Sequence, residues 1–128
     1  VCKIHADRPA CEHSLSMPLA YSDGVIWSFE IGRQRFEFPD AQKIAPMVDF
    51  GDEAYVSADL PPGSAILYQG VSYRHGRLAP NPNRWSAHLF MHWVDANGPY
   101  RDWAFDRWPV PPAEDFSALL DRAGAPAA

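Results

Sequence analysis

The chain has 128 residues, 47% of them apolar, and a formal net charge of −5. That is enough for one domain with a real core and too little for two ordinary ones. The acidic balance argues against a nucleic-acid surface, which needs a basic face, and no apolar run reaches the length of a membrane span.

Val1-Cys2-Lys3-Ile4-His5 is neither a signal peptide nor a start-codon terminus, so the chain reads as part of a longer protein. Cys2 and Cys11 are its two cysteines. A disulfide between them is conceivable, but two cysteines make no disulfide framework, and free thiols in a reducing, cytoplasmic setting fit better. A thiolate metal site would need further soft ligands, and no CxxC pair exists.

Short apolar segments punctuated by proline and glycine predict many short strands. The first ends at His5. A second, over 14–21, places Leu15, Met17, Leu19 and Tyr21 on one face. Segments 25–31 and 35–38 bracket Gly32-Arg33-Gln34 and read as a hairpin with a short loop. The run Phe50-Gly51-Asp52-Glu53 reads as a solvated loop, followed by a strand over 54–60. Pro61-Pro62-Gly63-Ser64 is a tight turn leading to a buried apolar strand over 65–69. The longest strand signal spans 84–94 and ends at the turn Asp95-Ala96-Asn97-Gly98-Pro99. In the tail, 114–122 places Phe116, Leu119 and Leu120 on one helical side. The pattern predicts an all-β sandwich or barrel, such as a jelly roll, over residues 1–108. A proline-rich connector and a short C-terminal helix occupy 109–128.

His5 and Asp7 lie two apart, so on a strand they share a face and can meet one ion. Alone, such a pair is common by chance and equally describes a polar loop end. His75 adds a second imidazole. The competing reading is a surface histidine among Tyr73, Arg74 and Arg77. Two histidines and a carboxylate are the ligand set of a mononuclear non-haem iron(II) site with open positions. Along 84–94, Arg84, Ser86, His88, Phe90 and His92 form one face, and Trp85, Ala87, Leu89, Met91 and Trp93 the other. The apolar face suits a core or an interdomain contact. An arginine fork with a nearby serine matches a carboxylate, although the same face also describes the solvent side of an amphipathic strand.

HxD, a distal histidine and RxS nine positions after it, in that order on an all-β pattern, resemble the iron(II)/2-oxoglutarate-dependent dioxygenases. Three stretches resemble the bacterial, prolyl-hydroxylase-like members. They are His5-Ala6-Asp7-Arg8-Pro9-Ala10-Cys11-Glu12-His13-Ser14-Leu15-Ser16, the segment Leu60 through Gly70, and the segment Leu89 through Tyr100. The resemblance covers most of residues 1–106 and implies a double-stranded β-helix, or jelly roll. It implies that His5, Asp7 and His75 bind iron(II), and that Arg84, assisted by Ser86, binds the distal carboxylate of 2-oxoglutarate. Arg77 is the alternative anchor, because some similar sequences carry a histidine–x–arginine. The implied activity is hydroxylation of a peptide or small amino-acid-like substrate using molecular oxygen, with no nucleic-acid or membrane partner. The chain departs from the family by lacking the strand and helices that usually precede HxD.

Two other functional classes fit the pattern. One is a cupin-like metal protein, an epimerase or another dioxygenase. The other is a non-catalytic jelly-roll binding module with incidental histidines. His13, His88 and His92 could compete as ligands, but polar strand histidines are more often structural. Tyr68 and Tyr73 are pocket hydroxyls or buried structural tyrosines. Trp103, Phe105 and Trp108 are expected to cover one end of the barrel. No nucleophile elbow or phosphate-binding glycine loop occurs.

Overall fold

The computed structural model describes residues 2–107 of the chain. The expected tail helix over 114–122, the connector and Trp108 lie outside the described residues. The strands are β1 (Cys2–His5), β2 (His13–Tyr21), β3 (Phe29–Arg35), β4 (Tyr55–Ala58), β5 (Ile66–Tyr68), β6 (Tyr73–Arg77) and β7 (Ser86–Trp93). Between them lie a short helix α1 (Asp40–Lys43) and a 3-10 turn (Pro9–Cys11), and a kinked helical segment (Arg101–Arg107) follows β7. The fold is all-β, in two antiparallel sheets of order β1-β6-β3-β4 and β5-β2-β7. Among the described residues no helix is long and apolar enough to cross a membrane.

The sheets meet through aromatic side chains. Phe29 of β3 and Tyr68 of β5 lie 5.1 Å apart, and with Leu60 they form a buried cluster flanked by Ile31, Ala58 and Ile66. Burying each such side chain contributes roughly 1.5–3 kcal/mol. The loop 61–64 turns as its residues require. Gly63 takes a φ of 85°, and the Ser64 N–H donates to the Pro61 carbonyl at 3.0 Å.

Four expectations need correction. Gly32 does not turn a hairpin. β3 runs straight through it and pairs with β4 at Gly32↔Tyr55. The glycine is needed because the Glu53 carboxylate packs where a Cβ would stand. The run 50–53 is not wholly solvated. Phe50 is buried, and Glu53 is buried in an ion pair with Arg74, whose Nε donates to it at 2.8 Å. On β2 the interior holds Ser14, Ser16 and Pro18, while Leu19 is exposed. A bulge between Pro18 and Ala20 then brings Tyr21 inward, where its hydroxyl donates to the Leu60 carbonyl. The strand over 65–69 is not buried throughout, since Leu67 is 68% exposed.

Candidate metal centre

His5 ends β1 and His75 sits mid-way along β6, and the two are register partners in the antiparallel pair. Their rings lie 4.8 Å apart. Asp7 follows β1, and its N–H donates to the Gly70 carbonyl at 2.9 Å. The carboxylate is thereby placed between the imidazoles: His5 Nε2 is 3.5 Å from Oδ1 and His75 Nε2 is 3.4 Å from Oδ2. One ligand atom from each of the three residues lies within 4.8 Å of the others.

Both histidines are oriented by the backbone of their own strands. His5 Nδ1 is 2.7 Å from the Lys3 carbonyl and His75 Nδ1 is 2.9 Å from the Tyr73 carbonyl. A carbonyl only accepts, so each Nδ1 carries the proton and each neutral ring directs its Nε2 lone pair toward Asp7. Such fixing of the far nitrogen is what metal-binding histidines use. Two lone pairs and a carboxylate facing each other repel unless a cation or a shared proton lies between them. The donor set therefore fits iron(II) or a similar divalent ion.

With no cation between His5 and Asp7, a proton on His5 Nε2 would bond to Asp7, and that contact pushes the His5 pKa up against the opposing effect of burial. His75, almost fully buried, is pushed down by desolvation. Burial works to raise the Asp7 carboxyl, but the His5 hydrogen bond and the nearby His75 outweigh it and hold it below its ordinary value.

Besides Tyr68, which the sequence singled out as a pocket or buried tyrosine, residues that it did not single out build the surroundings. Phe29 stacks on His75 at 5.7 Å, and Tyr68 tilts against it at 4.6 Å. Ser14 Oγ lies 3.4 Å from Asp7 Oδ2. Gln42 Nε2 donates to the carbonyls of Asp7 (2.7 Å) and Val71 (2.8 Å), tying α1 to both chain segments beside the centre. Gly70 is required by close approach. A Cβ there would press on Asp7 Oδ2 and lie 2.8 Å from Ser14 Oγ. Period-two reading of 25–31 could have found Phe29 as inward-facing, whereas nothing local marks Gln42.

The expected carboxylate cradle is not assembled at Arg84. That residue precedes β7, its side chain is 79% exposed, and its Nε lies 3.2 Å from Asp23 Oδ1. The strand alternation that would have turned it inward begins only at Ser86. Ser86 Oγ instead contacts Asn81 Nδ2 (3.1 Å) and His88 Nε2 (3.0 Å). Arg77 is the inward arginine. It lies two residues beyond His75 on β6, is 4% exposed, and places its guanidinium 4.4 Å from the Trp27 ring centre and 5.8 Å from that of Phe29. Phe29 thus touches both His75 and Arg77. Arg77 Nη1 donates to the carbonyls of Trp27 and Ser28, and Nη2 lies 3.5 Å from His88 Nδ1. Among the described residues Arg77 joins no ion pair, unlike Arg8, Arg35, Arg74, Arg84 and Arg101.

The remaining histidines divide. His13 lies beside Glu12, away from the triad. His88 is next to Arg77, and desolvation and then the Arg77 charge push its pKa down. His92 hydrogen-bonds Ser14 Oγ at 2.9 Å. Trp103 contacts Phe38 and Arg107, while Phe105 is 71% exposed and covers little. Compared with protein-family models, curated proteins and solved structures, the chain has no match.

Proposed function

We propose that the protein is a jelly-roll, non-haem iron(II) and 2-oxoglutarate-dependent dioxygenase, acting as a hydroxylase on a peptide or small amino-acid-like substrate. One observation carries the reading. A two-histidine, one-aspartate set stands on the same inner face as a buried arginine that joins no ion pair among the described residues. The sheet orders β1-β6-β3-β4 and β5-β2-β7 are compatible with a double-stranded β-helix.

His5, Asp7 and His75 would hold iron(II), leaving positions open for 2-oxoglutarate and oxygen. With iron(II) bound there, molecular oxygen would oxidise 2-oxoglutarate to succinate and carbon dioxide, one oxygen atom entering succinate and the other being available for hydroxylation. The chain's own part is to hold and to shield. The carbonyls of Lys3 and Tyr73 fix both imidazoles, and Ser14 and Gly70 fix the carboxylate. Phe29 and Tyr68 pack on His75 and keep water from that side.

Arg77 is the proposed anchor for the distal carboxylate, in place of Arg84. Arg77 is desolvated, with the buried Glu30 acting on it only beyond ion-pair distance, and a bound carboxylate would offset its burial through charge-assisted hydrogen bonds. A second reading keeps the metal and drops the co-substrate, as in a cupin-like protein. It is favoured by the two backbone carbonyls that already accept from Arg77.

Anaerobic titration of the full chain with iron(II) and 2-oxoglutarate separates these readings. The dioxygenase reading expects a visible metal-to-ligand charge-transfer band that His75→Ala abolishes. Iron binding without the band supports the cupin-like reading, and folded protein that binds no iron supports a non-catalytic module.

A further inference from the structure

Asp7 belongs to a second set of ligand-bearing side chains. Asp7, Cys11 and His92 also bring one ligand atom each within 4.8 Å of the others. Cys11 comes from the 3-10 turn after β1, and His92 from β7 in the other sheet. The Cys11 side chain is fully buried, and none of the hydrogen bonds among the described residues uses its sulfur. Its sulfur stands within 4.8 Å of ligand atoms of Asp7 and His92, and Ser14 Oγ links the same residues, 3.3 Å from the Cys11 carbonyl, 3.4 Å from Asp7 Oδ2 and 2.9 Å from His92 Nδ1. His92 also lines a cavity of about 560 Å³ together with Arg8, Trp93, Phe105 and Asp106, so the cluster borders that cavity through its imidazole.

We infer that Asp7, Cys11 and His92 form a second cation site, selective for a thiophilic divalent ion such as zinc(II). One thiolate, one imidazole and one carboxylate are zinc donors, and the cavity side leaves a fourth position for water. A thiolate makes the site softer than the His5–Asp7–His75 set, so the two sets prefer different ions. A thiol must lose its proton to ligate, so the site gives up a proton when the metal binds. Arg8 stands nearby, but its charge is taken up by Asp106, with Nη2 2.6 Å from Oδ2.

Both sets draw on Asp7, so an ion in the thiolate site competes for the carboxylate of the first. Zinc inhibition of iron uptake is the consequence, and that consequence alone rests on the dioxygenase reading.

Cobalt(II) titration of the full chain tests the site, because thiolate ligation adds a near-ultraviolet charge-transfer band to the cobalt spectrum. The band is expected in the wild type, in Cys2→Ser and in His5→Ala, and is expected to vanish in Cys11→Ser. His92→Ala, on the accessible edge, is expected to weaken and shift it, which covers the case that Cys11→Ser does not fold. No thiolate band at saturating cobalt, or a band that follows Cys2 instead of Cys11, overturns the inference. Visible cobalt absorption that depends on His5 reports the first set separately, so the failure of one site is not mistaken for failure of the other.

Discussion

The two sheets use their inner and outer faces differently. In β1-β6-β3-β4 the inner face carries His75, Arg77 and Phe29, and Arg74 is buried against Glu53. In β5-β2-β7 the inner positions of β2 are Ser14, Ser16 and Pro18, while Leu19, Leu67, Leu89, Met91 and Trp93 are exposed. One sheet supplies the ligands and the charge. The other supplies small and hydroxylated side chains that leave room for them. A β-strand interior can therefore place its small residues inward and some of its large apolar ones outward, against the usual reading of alternation.

Breaking the first sheet's buried ion pair should have the largest effect. Glu53→Ala leaves Arg74 buried and uncompensated, and is expected to destabilise the fold by about 3–5 kcal/mol in chemical denaturation. Next comes the contact that seats Asp7. Gly70→Ala pushes on Asp7 Oδ2 and Ser14 Oγ, and should weaken iron(II) binding roughly 10–100-fold, the range typical of lost support around a ligand. The second sheet gives a paired test. Ser16→Leu, on the inner face, should cost about 1–3 kcal/mol by overpacking. Leu67→Ser, on the outer face, should stay within about 0.5 kcal/mol, as surface changes do. A reversed order would show that the two faces have been assigned the wrong way round.

The smallest expected effect is at His88. Its folded pKa lies below the ordinary histidine value, through desolvation and the Arg77 charge. The stability linked to this group is therefore fully present above the unfolded pKa and is lost as pH falls through the folded one. Its NMR titration should show a midpoint below that of an unfolded-state histidine. Bound 2-oxoglutarate, by offsetting Arg77, should move that midpoint upward. No movement on binding would place the carboxylate elsewhere.

That His5, Asp7 and His75 could meet was legible in their order: His5 and Asp7 lie two apart, and His75 falls on a later strand that pairs back onto the first and brings the three side chains together. The all-β class followed from the short, punctuated apolar segments. Other features depend on contacts that sequence spacing does not encode. Gly32 looked like a turn because its reason for being glycine is Glu53, distant in sequence. Arg84 looked inward because the strand was extended back past Ser86, where Asp23 instead holds it at the surface. The single β2 face expected for Leu15, Met17, Leu19 and Tyr21 was broken by the bulge between Pro18 and Ala20, which residue spacing does not mark. Gln42 was invisible because it acts through its amide on two carbonyls, from a helix of four residues.

The central claim is that the buried Arg77, which joins no ion pair among the described residues, completes the site of His5, Asp7 and His75. Anaerobic 2-oxoglutarate titration of iron(II)-loaded protein, read on the charge-transfer band, tests it most directly in Arg77→Lys beside Arg84→Ala. Arg77→Lys keeps the charge but loses the fork, and should weaken 2-oxoglutarate binding while iron(II) binding is retained. Arg84→Ala should bind as the wild type does. Wild-type affinity in Arg77→Lys with a marked loss in Arg84→Ala would contradict the account.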